Sequence, residues 1–321
     1  MRPQRDHNLG MATPDFRHQP VLLAEVLTWL DPQPGQAFLD GTVGGAGHSA
    51  AILERLGPDG MLYGIDQDPV ALEAATERLS QVGGRFELFR ANFSALGDLG
   101  LPPLDGILLD IGVSSPQLDV ADRGFSFQKA GPLDMRMDPD NPVTAATLIN
   151  TASEQELARI FFEYGEERHS RKVARAIVKV RQEDGPFTDT LQFAEFVRRH
   201  MPRDPSGIHP ATRVFQGLRI AVNDELGVLT RVLPKAIAAL KPGGRLGVIS
   251  FHSLEDRIVK QYFRDEAKGC ICPPRLPVCM CGKPPTVEIL TPKPVVATDE
   301  EQRCNPRARS AKLRVARRLP A

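Results

Sequence analysis

Nowhere in these 321 residues does an apolar run approach the ~20 residues needed to cross a bilayer, so a membrane-spanning helix is not expected. The polar start Met1-Arg2-Pro3-Gln4-Arg5-Asp6-His7-Asn8 has no apolar core of a signal peptide, and the cytoplasm is the expected compartment. Net charge is also missing. Forty Lys and Arg balance 40 Asp and Glu, so bulk electrostatics make no case for nucleic acid. Cysteine is scarce and odd in number. Of five, Cys270, Cys272, Cys279 and Cys281 share one Pro-rich loop, which argues against a disulfide framework. There is no internal repeat, and no Gly-x-Gly-x-x-Gly fingerprint of a pyrophosphate-binding turn.

What is present is a different glycine-rich turn, Asp40-Gly-Thr-Val-Gly44-Gly45-Ala46-Gly47-His48-Ser49, between a strand ending at Phe38-Leu39 and a helix running to Leu56. Glycine permits tight turns and close approach of the backbone to a ligand. A second strand, Met61–Ile65, ends in Asp66, 19 residues after Gly47. An acid about 20 residues past such a turn is placed to hydrogen-bond ribose hydroxyls. The pattern fits nicotinamide, flavin and S-adenosylmethionine cofactors, and the missing fingerprint disfavours a dinucleotide.

A helix is expected over 69–79, with Val70 or Ala71, Ala74, Ala75 and Leu79 on one face, then strands at Phe86–Phe89 and Leu104–Asp110. Strands spaced by helices predict a parallel, doubly wound α/β sheet. The alternation stops near Gly112, and from Ala145 to about Asn223 only helical patterns appear. Val173, Ile177 and Val180 make an apolar stripe there, and Arg171, Arg175 and Lys179 a basic one. Like charges at i, i+4 cost a helix slightly, which an anionic partner or nearby acids would offset. The strand–helix alternation resumes with a helix through Leu226, Leu229, Leu233, Ile237 and Leu240. Pro234 is expected to start a fresh turn, and Lys241-Pro-Gly-Gly244 to stop the helix before a strand at Arg245–Phe251. Val287–Leu290 and Lys312–Ala316 are the remaining candidate strands. The organisation read from this is core 1–118, helical insertion 119–222, and core 223–321 with the Cys-rich loop and a basic tail.

In an open α/β sheet, ligands sit outside the carboxyl ends of the strands, so Asp110 is expected to share a crevice with Asp40 and Asp66. After Asp110 comes a loop containing Ser114-Ser115-Pro116-Gln117. Such a loop suits methyl transfer to an exocyclic amine, whose delocalised lone pair is activated by acceptors on its hydrogens. Asp110 and Ser114, Ser115 and Pro116 are the candidate catalytic residues. His252 lies at the same edge, as a substrate contact or a hydrogen-bonded strand end. Phe125 and Phe127 could stack an extruded base, although packing is the commoner role. Arg136, Arg168 and Arg213 are phosphate candidates. Basic clusters run from Arg168 to Arg181 and, without an acid, from Arg303 to Arg318. Four thiols in 12 residues could hold zinc, but both pairs are Cys-x-Cys rather than Cys-x-x-Cys, which favours reduced thiols and no metal.

Several longer segments carry a resemblance: His18–Leu23, Asp40–Ser49, Asp105–Gln117, Arg123–Phe127, Gly131–Asp138, Tyr164–Arg168, His209–Arg213, Ser250–Arg257 and Asn305–Ser310. In these, over nearly its full length, the chain resembles the bacterial small-subunit ribosomal RNA cytosine-N4 methyltransferases, the MraW or RsmH family. The resemblance implies a Rossmann-like class I methyltransferase core with an inserted all-helical domain, S-adenosylmethionine as cofactor, and N4 methylation of a cytosine in the decoding region of 16S ribosomal RNA. It implies cofactor contacts by Ala46, Gly47 and His48, ribose binding by Asp66, adenine flanked by Phe93, and a pocket completed by Asp110 and Gln117. The implied partner is the small subunit or its precursor, with no membrane, and homodimerisation is compatible with the sequence. The family often has glycine at position 46, so Ala46 is expected at negative φ. A DNA amino-methyltransferase is disfavoured because Gln117 follows Pro116. An RNA-binding assembly factor without turnover and a nicotinamide oxidoreductase are the other rivals.

Overall fold

Strand β1, Ala37–Asp40, lies at the centre of the sheet, and the rest of the fold is arranged around it. A computed structural model describes residues 20–113, 118–202, 207–273, 278 and 280–320. The other strands are β2 Met61–Asp66, β3 Arg85–Arg90, β4 Leu104–Asp110, β5 Leu240–Ser250, β6 Val287–Ile289 and β7 Lys312–Arg318. Their order is β3-β2-β1-β4-β5-β7-β6. The first five are parallel, and β7 is antiparallel to both β5 and β6. The chain winds outward one way from β1 to β3 and the other way from β4 to β5. The switch point is therefore the β1–β4 seam, where loops leaving the carboxyl ends part and leave a crevice.

Period-two alternation explains why both faces are covered. Phe38, Leu62, Leu108, Ile249 and Val315 enter one apolar cluster, with Val26 and Leu30 of α1 (Leu23–Leu30), Ile52, Leu53 and Leu56 of α2 (Gly47–Leu56), and Ala75 and Leu79 of α3 (Pro69–Val82). Leu39, Ile65, Ile107, Leu109 and Val248 enter the opposite cluster. Against them pack α9 (Glu225–Ala239) through Leu229, Leu233 and Ile237, and α10 (Ser253–Lys268) through Val259 and Phe263. At the amino edge, Asp105 Oδ2 accepts from Ala37 N at 2.9 Å and Lys241 Nζ at 2.7 Å, which aligns the starts of β1, β4 and β5.

The insertion builds its own core. Helices α4 (Ala145–Thr151), α5 (Glu154–Glu163), α6 (Ser170–Glu183), α7 (Thr190–His200) and α8 (Ala211–Asn223) bury Ile149, Phe161, Val173, Ile177, Phe193 and Leu218 together. Thr144, Ser153 and Asp189 each accept a backbone N–H at a helix start, which fixes where α4, α5 and α7 begin. A last short helix, α11 (Asp299–Cys304), precedes β7.

Several local expectations are corrected. Val70 is 63% exposed and Ala74 also faces solvent, so the buried face of α3 is carried by Ala75 and Leu79. Pro234 lies inside α9 and starts no new turn. Pro234 and Thr230, whose carbonyl an ordinary residue at 234 would bond, are both on the exposed side, while Val232, Leu233, Ala236 and Ile237 hold the other side in the core. Lys241–Gly244 belongs to β5. Leu240 already pairs with Leu104, and the register shift before Gly106–Arg245 absorbs the Pro-Gly-Gly run. In the basic tail, Arg314 pairs with Asp256 at 2.6 Å and Arg317 with Glu288 at 2.5 Å. Among the described residues no helix is long and apolar enough to cross a membrane.

The seam is tight at one place. A Cβ on Gly106 would stand 2.1 Å from Phe38 Cε1. Gly106→Ala should destabilise the protein by roughly 1–3 kcal/mol through overpacking, read as a lower urea midpoint. An unchanged midpoint would contradict this account of the seam.

Candidate active site

A cavity of about 580 Å³ opens above the carboxyl ends of β1, β2 and β4, within the ~300–1,000 Å³ range of small-molecule sites. The glycine turn forms one wall. Gly41 N donates to Leu108 O at 2.9 Å and Val43 N to Ile65 O at 3.1 Å, so the turn is fastened to both neighbouring strands. Asp40 lies beneath this turn, outside the cavity lining. It is 1% exposed, and its carboxylate accepts from Thr42 N at 3.0 Å and Ser49 Oγ at 2.6 Å. Thr42 Oγ1 accepts from Asp110 N at 2.7 Å, which joins the turn to the end of β4. Of the three acids expected in the crevice, only Asp66 and Asp110 line it.

Asp66 Oδ2 accepts from Gly44 N at 2.8 Å and Oδ1 from Asp68 N at 2.9 Å. Burial raises its pKa against the pull of these two donors. Each oxygen keeps a lone pair that a ligand hydroxyl can use. Asp68 in turn caps α3 through Val70 N and binds Arg123 Nη1 at 2.5 Å. Arg123 also donates to the carbonyls of Arg136 and Met137, so the edge of the insertion is tied to the end of β2. Phe93, at the start of a 3₁₀ turn capped by Asn92, lines the cavity.

Among the described acids that line the cavity, Asp110 is the least satisfied. Its Oδ1 is buried without a hydrogen-bond partner, and Oδ2 lies 3.6 Å from His48 Nδ1. His48 Nε2 is 2.9 Å from Val21 O. A carbonyl only accepts, so Nε2 carries a proton. Burial pushes the Asp110 carboxyl up to about 6, with His48 opposing and Asp40 adding to the rise.

Gly47 and His48 line the cavity, but Ala46 does not. Its side chain is fully buried in the apolar cluster, and its φ is +55°, contrary to the negative value expected. The turn needs a left-handed residue to enter α2. The ~1–2 kcal/mol cost of that conformation in a non-glycine residue is offset by the buried methyl and by the bonds from Ala46 N to Val43 O and Ala50 N to Ala46 O. Ser114, Ser115, Pro116 and Gln117 lie outside the described residues, as does Cys279.

His252 does not line the cavity. Its Nε2 stands 2.9 Å from Glu255 Oε1 without hydrogen-bond geometry, and both ring nitrogens are buried without a hydrogen-bond partner. Phe125 is buried, and Phe127 packs on His209 and Phe215 with both centroids at 4.8 Å, so both serve packing. Arg136 is occupied by Asp134 at 2.7 Å and by the carbonyls of Pro139 and Asn141, which removes it as a phosphate candidate. Arg213 has a partner of its own. Arg168 and Arg171 are exposed and form no ion pair with a described residue. Arg175 and Lys179 lie 3.3 and 3.9 Å from Glu154 and Glu183.

Sequence reasoning missed Glu225, Glu255 and Asn223, which also line the cavity. Asn223 accepts from Met137 N at 2.8 Å and donates to Met135 O at 2.8 Å, which ties the end of α8 to the segment before α4. Glu225 is paired with Arg219 at 2.9 Å, and burial raises its pKa. Glu255 accepts from Phe251 N at 2.8 Å. Its His-x-x-Glu spacing at a helix start was a readable signal. Nothing local distinguishes Glu225 or Asn223, because their role arises from the meeting of α8 and α9.

A doubly wound sheet whose seventh strand runs antiparallel, with a cavity at the switch point, is the class I methyltransferase fold. The MraW methylase family model matches residues 15–319, and the chain belongs to that family. It is 57% identical over 310 residues to the ribosomal RNA small subunit methyltransferase H of Geobacter sulfurreducens, covering 95% of this chain and 99% of that one. The like-named proteins of Heliobacterium modesticaldum and Syntrophotalea carbinolica are 55% and 56% identical. They cover 95% of this chain and 99% and 98% of their own lengths.

The raised Asp110 carboxyl has a thermodynamic consequence. The folded protein holds this proton more tightly than the unfolded chain, so stability falls as pH rises from about 4 through about 6. Asp110→Asn removes the buried charge. The variant should match the wild type near pH 4 and exceed it at pH 8, by on the order of 2–3 kcal/mol at about 1.4 kcal/mol per pKa unit. Equal denaturation midpoints at pH 8 would contradict the burial penalty.

Proposed function

We propose that this chain is an S-adenosylmethionine-dependent methyltransferase that methylates the N4 amine of a cytosine in the decoding region of 16S ribosomal RNA, in the cytoplasm. The single observation that carries the chemistry is the buried, unpartnered Asp110 Oδ1 at the wall of the switch-point cavity. A buried acceptor without a donor costs roughly 1–3 kcal/mol and is relieved by a ligand N–H. The names of the relatives supply the ribosomal substrate class, and the resemblance read in the sequence supplies the N4 position.

The residues present fit the cofactor. Asp66 has spare lone pairs for ribose hydroxyls, and Phe93 offers a face to an adenine. Gly44, Gly45, Gly47 and His48 bring backbone close to the cavity, with open space where a Cβ of Gly45 would stand. When bound, S-adenosylmethionine supplies an electrophilic methyl on a good leaving group, so the protein's task is to position, dehydrate and stabilise charge.

Asp110 Oδ1 accepts an N–H of the target amine, draws its lone pair away from the ring, and receives the proton the amine sheds. Oδ2 remains beside His48. Ser114, Ser115 and Pro116 follow as the loop that brackets the amine, and Gln117 closes the pocket. An enzyme acting on a base must reach it unstacked, and the insertion's Asn223–Met137 contact borders the opening through which it would enter. Arg168 and Arg171 are the exposed cations offered to the RNA backbone.

The reading is tested by incubating the protein with labelled S-adenosylmethionine and small subunits lacking the modification, then mapping the label. The expected product is N4-methylcytosine at one decoding-region nucleotide, and label on another base or on protein would overturn it. Asp110→Ala should lower turnover at least ~100-fold, in the range of lost general acid–base catalysis. The wild-type kcat/KM should rise with pH around an apparent pKa near 6, where Asp110 becomes a competent acceptor. A flat profile would remove this role. Reversing both Arg168 and Arg171 to Glu should raise KM for the subunit about tenfold and flatten its salt dependence, leaving cofactor binding unchanged. Unaltered salt dependence would place the RNA elsewhere.

A further inference from the structure

The loop joining α10 to β6 is built inside out. Its base is closed by polar contacts. Glu266 accepts from Lys283 Nζ at 2.8 Å and Thr286 Oγ1 at 2.6 Å, and Thr286 N donates to Glu266 O at 3.0 Å. Above that base the apolar side chains among the described residues face solvent: Ile271 is 72% exposed, Val278 68% and Met280 81%. The cysteines face one another instead, with the Sγ atoms of Cys270, Cys272 and Cys281 all within 4.8 Å of each other. A loop whose apolar groups point outward has no hydrophobic reason to keep its limbs together. Among the described residues the two limbs meet through sulfur.

Two backbone donors cross between the limbs and end on sulfur. Ile271 N reaches Cys281 Sγ at 3.4 Å and Met280 N reaches Cys272 Sγ at 3.3 Å, each from the opposite limb. The Cys-x-Cys spacing that weighed against a metal does not keep Cys270 and Cys272 apart, since both bring Sγ to the same place as Cys281. A disulfide would join two of the three sulfurs and leave the third. A soft divalent cation satisfies all three at once.

We propose that Cys270, Cys272 and Cys281 bind one zinc ion as a structural clip. Each thiol gives up its proton to solvent, so three protons leave as three Zn–S bonds form, and the trithiolate site carries one net negative charge. The fourth tetrahedral position is left to a further donor. The clip holds the end of α10 beside β6, at the sheet edge away from the switch-point cavity. Its role is therefore independent of methyl transfer.

The test uses the full-length chain under reducing conditions. It is stripped with a chelator, reloaded with zinc chloride, desalted and analysed for metal. About one zinc per chain is expected, with a melting temperature several degrees above that of the stripped protein. Cobalt(II) in place of zinc should give an intense thiolate-to-metal charge-transfer absorption, and the triple variant C270S/C272S/C281S should lose both metal and band. Wild-type protein that retains no stoichiometric zinc, or a triple variant that retains it undiminished, would overturn the proposal. So would a metal-free protein whose mass shows two of these thiols oxidised to a disulfide.

Discussion

The close approach of β1 and β4 is the constraint on which the site depends. With no side chain at position 106, Phe38 packs over the neighbouring strand. The chain reverses its winding direction at this seam, so the glycine turn after β1 and the loop after β4 diverge and a cavity opens between them. Thr42 then binds both halves, contacting Asp40 on one side and the backbone of Asp110 on the other. The position of Asp110 is thus set by the sheet and the turn together, and a shift in either would move the acceptor.

Burial of charge is the second constraint. Asp110, Glu225 and Glu255 lie around one floor, with His48, His252 and Arg219 beside them. Taking a carboxylate out of water is unfavourable unless it is paired or hydrogen-bonded. Asp40, Glu255 and Glu225 meet that condition through backbone donors, a hydroxyl and a guanidinium. Asp110 meets it only in part, and its raised pKa is the measure of the remainder. Of these four, Asp110 alone has a buried carboxylate oxygen without a hydrogen-bond partner.

Much of this was legible in the sequence, for physical reasons. Strand β4 is read at its observed bounds because a buried parallel strand is continuously apolar and ends in a polar residue at the cavity. The glycine turn and the place of Asp66 at the end of β2 were legible because tight turns need glycine and a buried strand ends where apolar residues give way to polar ones. Asp40 was misplaced into the crevice because strand-end position does not reveal whether a carboxylate points up to the ligand or down to Ser49. Pro234 was misread because local propensity was overridden by burial of the opposite helix face. Arg136 looked available for phosphate because its partners, Asp134 and two carbonyls, are gathered only when the loop closes. The long-range tie from Asn223 to Met137, and the Arg219–Glu225 pair formed only when α8 and α9 meet at an angle, leave no local mark in the chain.

The most direct measurement is a crystal structure of the protein with S-adenosylhomocysteine and cytidine bound. The account predicts a ribose hydroxyl on Asp66 and the cytidine amine nitrogen within hydrogen-bond distance, about 2.7–3.2 Å, of Asp110 Oδ1. A nucleoside seated outside the switch-point cavity, or an amine turned away from Asp110, would contradict it.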